Sequence, residues 1–223
     1  MKKMFLGLLK GIDVVVKGLL AILITIIALV FFIPLRILFP TKIIGRKNLS
    51  HVKGCKIVAS NHFSNLDIIL LLVFFYPIAF TRKVLGKIEL TKCKLFGYIL
   101  ASYGGIFIDR SKLDVKAMKC ITSELQKGKT VIIFPEGTRN KDGSEDTKSV
   151  KGGVAYFAYK ADATIVPIVI LHRPKIFKFN KIIVSEGYKI SQEQKLNSEQ
   201  EIERLNAVYK DVREKYTKTP KGE

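Results

Sequence analysis

Five short runs of β-branched and apolar residues recur along the chain, at Lys56–Ala59, Ala79–Leu85, Gly105–Asp109, Thr130–Phe134 and Thr164–Leu171. Between them lie segments long enough for helices, around Asn65–Phe75, Ile88–Ala101, Asp114–Lys127 and Val150–Tyr159, with Gly128 as the expected stop of the third. Parallel strands need a crossover long enough to hold a helix, so this alternation predicts an α/β domain with a mostly parallel sheet flanked by helices. Lys178–Ile190 reads as one or two edge strands. Ser191–Glu223 reads mostly as a charged helix with an apolar stripe of Ile202, Leu205, Val208 and Tyr209, then a basic tail, and suggests no function of its own.

Ahead of this domain the chain runs from Gly18 to Leu35 without a charge. As a helix that is roughly 27 Å against a hydrocarbon core of about 30 Å. Lysines and arginines flank it on both sides, which suits a hairpin dipping into one leaflet as well as a single span. Bulky Phe31-Phe32-Ile33-Pro34-Leu35 stands where a cleaved signal peptide would carry small residues. The expected organisation is residues 1–40 as hydrophobic, membrane-associating helices and 41–223 as the α/β domain, at the cytoplasmic face of the cell membrane. A net charge of +19, mostly lysine, fits anionic partners: phospholipid headgroups, phosphate esters or an acidic carrier protein. The basic residues lack interleaved aromatics, so no nucleic-acid partner is expected. Three cysteines without C-x-x-C spacing and three scattered histidines predict neither a disulfide framework nor a metal site, and fit a reducing compartment.

In α/β sheets ligands gather at the carboxyl ends of the strands, and the polar motifs fall there. His62 and Asp67 follow the first run. Asp109-Arg110 ends the third, and Pro135-Glu136-Gly137-Thr138-Arg139 follows the fourth. On one continuous helix His62 and Asp67 would lie about 140° apart in azimuth, so they meet only if His62 precedes the helix. Ser64-Asn65-Leu66-Asp67 has the form of a capping box with Ser64 as N-cap, which would leave His62 outside and free to fold back onto the carboxylate. An imidazole held in that way suits a general base. The alternative is that Asp67 only caps the helix and His62 is an ordinary turn residue.

Arg110 and Arg139 offer planar forks suited to a phosphomonoester, or else pair with Asp109 and Glu136. No G-x4-G-K-[ST] loop occurs, which disfavours nucleotide hydrolysis, and no G-x-S-x-G elbow, which disfavours a serine hydrolase. A base without its own nucleophile points to activation of a substrate hydroxyl. A membrane anchor and phosphate forks place that hydroxyl on a lipid phosphate. Residues 141–148, KDGSEDTK, read as a polar, mobile loop.

These motifs, taken in order, resemble the glycerophospholipid acyltransferase family that includes 1-acylglycerol-3-phosphate acyltransferases. NHFSNLD is similar to its NHxSxxD motif, GGIFIDR to its second, FPEGTR to its third and IVPIVI to its fourth. Gly86-Lys87-Ile88-Glu89-Leu90 is similar to its K-x-E-L segment, and Val150-Lys151-Gly152-Gly153 to its FKxG element; Lys94 departs from the proline of many relatives. The resemblance spans roughly Gly45 to Leu171. It implies His62 as general base and Asp67 as its orienting carboxylate. Lys87, Arg110 and Arg139 would bind the acceptor phosphate, Glu136 and Gly137 would shape that site, and Asn61, Ser64, Lys151 and Gly152 support it as motif positions. The implied reaction moves a fatty acyl group from an acyl-carrier-protein or coenzyme A thioester to a lysophospholipid, with no further cofactor. Glycerol 3-phosphate, another lysophospholipid or an aminolipid are alternative acceptors, and a non-catalytic membrane protein that binds anionic lipid is the rival of a different class.

Overall fold

A computed structural model describes residues 30, 33–64, 66–75, 82–87, 105–109, 114–137, 150–193 and 195–217. The expected helix at Ile88–Ala101, Cys93 and Lys94, the polar loop 141–148, and the run Gly18–Leu35 apart from residue 30 and residues 33–35 lie outside them. Among the described residues no helix is long and apolar enough to cross a membrane.

Seven strands form one sheet: β1 (Thr41–Ile44), β2 (Lys56–Ser60), β3 (Arg82–Lys87), β4 (Gly105–Ile108), β5 (Thr130–Ile133), β6 (Thr164–Ile170) and β7 (Asn180–Val184), in the spatial order β1-β7-β6-β2-β5-β3-β4. The five strands from β6 to β4 are mutually parallel. β7 runs antiparallel to β6, and β1 is parallel to β7. The helices are α1 (Arg46–Ser50), α2 (Leu66–Phe75), α3 (Val115–Gln126), α4 (Gly153–Ala161) and α5 (Ser198–Thr217). The α/β class with a mostly parallel sheet is therefore the observed one.

β2 is the centre, between β6 and β5, and its apolar residues are buried on both faces, which is why it reads as a continuous apolar run rather than an alternating one. Ile57 and Ala59 face a core built with Ile121 and Leu125 of α3, Val154 and Phe157 of α4, and Leu205 and Tyr209 of α5. Val58 faces the opposite way, into a core with Leu70 and Leu71 of α2, Leu49 of α1 and Phe39. α3 forms as its sequence predicts: Asp114 accepts from the Ala117 N–H at 2.9 Å as N-cap, Ala117, Ile121 and Leu125 recur every four residues on the buried side, and Gly128 takes φ 77 just past the end.

The segment after β6 departs from expectation. Lys178–Ile190 holds one strand, β7, and it is not at the edge, because β1 pairs outside it. β1 is only four residues long, follows Pro40 directly and shows no alternation, so its strand character comes from a partner about 140 positions away rather than from local pattern. Tyr188, further on, makes only an isolated bridge to Ile165.

Candidate active site

Parallel alignment brings the ends of β6, β2, β5, β3 and β4 to one side of the sheet. The chain leaves β2 there under tight control. Asn61 is buried, its Nδ2 donates to the Ile170 carbonyl at 3.0 Å, and its Oδ1 accepts from the Ile170 N–H at 2.7 Å. The amide thus continues the β2–β6 pairing one residue past the last backbone rung and fixes where His62 begins. Asn61→Ala would leave both Ile170 groups buried without these partners. Urea denaturation should show a loss of about 2 kcal/mol, and a loss under about 0.5 kcal/mol would mean that the amide is dispensable.

His62 lies before α2, as the azimuth argument required. Its Nδ1 is 2.8 Å from Oδ2 of Asp67, which is fully buried. The same oxygen accepts from the backbone N–H groups of Phe63 at 2.6 Å and Ser64 at 2.7 Å. The Ser64 hydroxyl lies 3.4 Å from Oδ1 and accepts from the Leu66 N–H at 3.2 Å. This is the reciprocal capping box, and the capping carboxylate is also the one that holds the histidine. A carboxylate only accepts, so the proton between them belongs to Nδ1, which leaves Nε2 as the basic nitrogen. The far side of the ring is stacked on Phe134, with centroids 4.2 Å apart and planes at 27°. Helix cap and aromatic stack together hold the imidazole in one plane.

The turn after β5 lies beside it. Gly137 closes this turn with its N–H on the Phe134 carbonyl at 3.1 Å and takes φ 67, where a side chain would be strained. The Lys151 N–H donates to the Pro135 carbonyl at 2.9 Å, which ties the turn to the start of α4. Gly152 precedes α4, and a β-carbon there would meet Cβ of Ser198 at 3.4 Å, so the glycine lets α4 and the start of α5 approach closely.

Glu136 points inward and is only 4% exposed. Burial raises its pKa to about 7; the His62 backbone N–H and the Arg213 charge oppose the rise, and the Asp67 charge adds to it. Its Oε2 has no hydrogen-bond partner. Glu136 accepts from the His62 backbone N–H. Lys87 ends β3, its backbone paired with Ile108 at the end of β4, one strand beyond β5. Arg110 and Arg139 lie outside the described residues. Among those described, no group of three or more His, Cys, Asp or Glu could hold a metal ion.

Two contributors on α5 were not assigned to the site from the sequence: Tyr209, read only as part of the apolar stripe, and Arg213. Leu205, Tyr209 and Arg213 form the buried line of α5, each four residues from the last. Arg213 lies over the Phe63 ring at 5.5 Å, and Tyr209 is fully buried with its phenol pKa pushed well up by burial and then by the Glu136 charge. An arginine continuing an apolar i, i+4 line was the available signal, because a buried cation there needs a buried acid or ring opposite it.

Comparisons with known proteins bear on the family and the fold. A family model described as Acyltransferase matches residues 41–171, which contain His62, Asp67 and the whole turn after β5. A 1-acyl-sn-glycerol-3-phosphate acyltransferase of Borreliella burgdorferi is 30% identical over 152 residues, 66% of this chain and 56% of that protein. One of Helicobacter pylori is 35% identical over 138 residues, 61% of this chain and 55% of that protein. One of Pseudomonas aeruginosa is 38% identical over 127 residues, 56% of this chain and 46% of that protein. The chain spans about half the length of the curated relatives it matches. The crystal structure of the 1-acyl-sn-glycerophosphate acyltransferase PlsC from Thermotoga maritima shares the fold, with a TM-score of 0.64 at 23% identity over 82% of this chain and 74% of that one. With a family model matching more than half of its length across the sheet and the His62–Asp67 turn, the chain belongs to the acyltransferase family.

Proposed function

We propose that this chain transfers a fatty acyl group from an acyl thioester to the free sn-2 hydroxyl of 1-acylglycerol 3-phosphate, producing phosphatidic acid. The observation that carries the reading is His62 held through Nδ1 by the buried Asp67 carboxylate, a base with no protein nucleophile in its motif. The names of the relatives supply the substrate class.

In this mechanism Nε2 of His62 takes the proton of the acceptor hydroxyl as its oxygen bonds to the thioester carbonyl carbon. The tetrahedral oxyanion then collapses, the C–S bond breaks, and the imidazolium returns its proton to the departing thiolate. A thiol with a pKa near 8.5 leaves readily, so a second acid is not required. Lys87, Arg110 and Arg139 would hold the acceptor phosphate, with Glu136 and Gly137 shaping the turn beside them. The donor is an acyl-carrier-protein or coenzyme A thioester. The protein works at the cytoplasmic face of the cell membrane, with residues 18–35 as its anchor.

One relative favours a second acceptor: a lyso-ornithine lipid O-acyltransferase of Pseudomonas aeruginosa is 30% identical over 115 residues. Thiol release from acyl-carrier-protein and acyl-coenzyme A donors, measured with lysophosphatidic acid, glycerol 3-phosphate and lyso-ornithine lipid in detergent, separates the readings. Release with lysophosphatidic acid well above the other acceptors is expected. Release with the ornithine lipid alone would move the substrate assignment, and none with any acceptor would leave a lipid-binding protein.

A further inference from the structure

The loop joining β6 to β7 leaves the sheet at the end that carries His62, because β6 and β2 are parallel and Asn61 is bonded to the last residue of β6. The base of the loop is firmly built. Asn180 is buried; its Nδ2 donates to the Lys178 carbonyl at 3.0 Å, with longer bonds to those of Lys175 and Pro40, and its Oδ1 accepts from the Lys175 N–H at 3.2 Å. The Phe177 N–H donates to the Leu38 carbonyl at 2.7 Å.

What this base presents to the outside is apolar: Ile176, Phe177 and Phe179 are 51%, 73% and 84% exposed. Phe177 also takes φ 57, a left-handed conformation that its β-carbon disfavours, so backbone strain is spent on turning a phenyl ring outward. Through Leu38 the loop is tied to the helical residues 33–38, where Ile33 and Ile37, one turn apart on one face, are exposed as well. Arg36, Arg173, Lys175 and Lys178 are exposed among them, and neither residues 30–47 nor residues 171–181 contain an acidic side chain.

Apolar side chains with cations and no acids around them match a bilayer with anionic headgroups, in which the rings enter the acyl boundary and the lysines and arginines meet phosphates. The patch is also continuous in sequence with the uncharged run ending at Leu35. We propose that Ile176, Phe177 and Phe179 form a second membrane contact, beside Ile33 and Ile37 at the end of the N-terminal anchor, that seats the His62 end of the sheet on an anionic phospholipid surface. The contact rests on the acyl-transfer reading for its purpose, since the acceptor would then reach His62 from the lipid that the loop touches.

The test uses the full chain with Cys55, Cys93 and Cys120 changed to serine and an environment-sensitive fluorophore on Phe177→Cys, or on Lys127→Cys at the opposite end of the sheet as control. On mixing with vesicles of phosphatidylcholine containing phosphatidylglycerol, the label at 177 should shift to the blue and be quenched by brominated acyl chains. Both effects should weaken on phosphatidylcholine alone and be absent at 127. A label at 177 that stays water-like while the protein sediments with the vesicles overturns the proposal. So does a shift on concentrating the protein without vesicles, which would assign the tip to contact between copies. In unlabelled protein, Phe177→Ser with Phe179→Ser should lower turnover of vesicle-held lysophosphatidic acid by about tenfold or more and leave a water-soluble short-chain acceptor within about twofold. Equal turnover of the vesicle-held acceptor also counts against the contact. Failure of the parent protein on both acceptors removes the acyl-transfer reading while the fluorescence result stands by itself.

Discussion

His62→Ala is expected to lower acyl transfer by at least about 10²-fold and up to about 10⁴-fold, the range typical of a lost general base. The ring lies at the carboxyl end of the central strand β2, 14% exposed, and its removal loses the stack on Phe134 and one bond to Asp67, whose Oδ2 keeps the Phe63 and Ser64 N–H groups. The melting temperature should therefore stay close to that of the parent while kcat collapses. Thiol release under saturating acceptor and donor reads the effect directly, and turnover within tenfold of the parent would remove His62 from the chemistry.

Asp67→Asn separates geometry from charge. An asparagine can place its carbonyl oxygen where Oδ2 now accepts from His62, Phe63 and Ser64, so cap and ring orientation can survive. What it cannot supply is a negative charge beside the imidazolium that forms as the proton moves. A loss of about 10²-fold or more in kcat with intact folding would show that the carboxylate acts through charge. A normal kcat would reduce Asp67 to a helix cap.

That double role explains why the sequence was readable here. Capping the helix and holding the His62 ring ask the same thing of Asp67, a carboxylate turned back over the first turn of α2, so the local S-x-x-D pattern carried the geometry around His62. The alternation of strands and helices along the chain was equally legible, since each crossover separates one apolar run from the next, but their order across the sheet was not. What was not legible depends on distant partners. β1 becomes a strand only against β7, and β7 stops being an edge only because of β1. α5 showed its apolar stripe, but nothing local says that Arg213, at the end of that line, reaches Phe63 and the charge of Glu136. The exposed rings of the β6–β7 loop passed unremarked because exposure is a property of the folded chain.

Glu136 yields a large effect on stability, and its sign follows from its surroundings. Burial holds its pKa at about 7, against 4.5 for an ordinary glutamate, so between those values the folded chain keeps a proton that the unfolded chain has released. Stability from this group is therefore fully present below about pH 4.5 and lost as pH rises through about 7, the reverse of a salt-bridged carboxylate. The shift corresponds to about 3 kcal/mol when taken at full value. Glu136→Gln keeps the shape and an acceptor for the His62 N–H but cannot titrate. Urea unfolding in detergent at about pH 5 and about pH 7.5 should find the parent losing about 2 to 3 kcal/mol relative to Glu136→Gln across that interval. Parallel stabilities at the two pH values would mean that Glu136 is ionised throughout, its charge carried by Arg213 and the His62 N–H. If the predicted divergence appears, a neutral Glu136 below pH 7 spares Asp67 a second buried negative charge and leaves the imidazole facing a single carboxylate. The electrostatic asymmetry of the His62 site is then set by burial of Glu136, with the Asp67 charge, against the opposing pull of Arg213 on α5, which lies outside residues 41–171 that the family model matches.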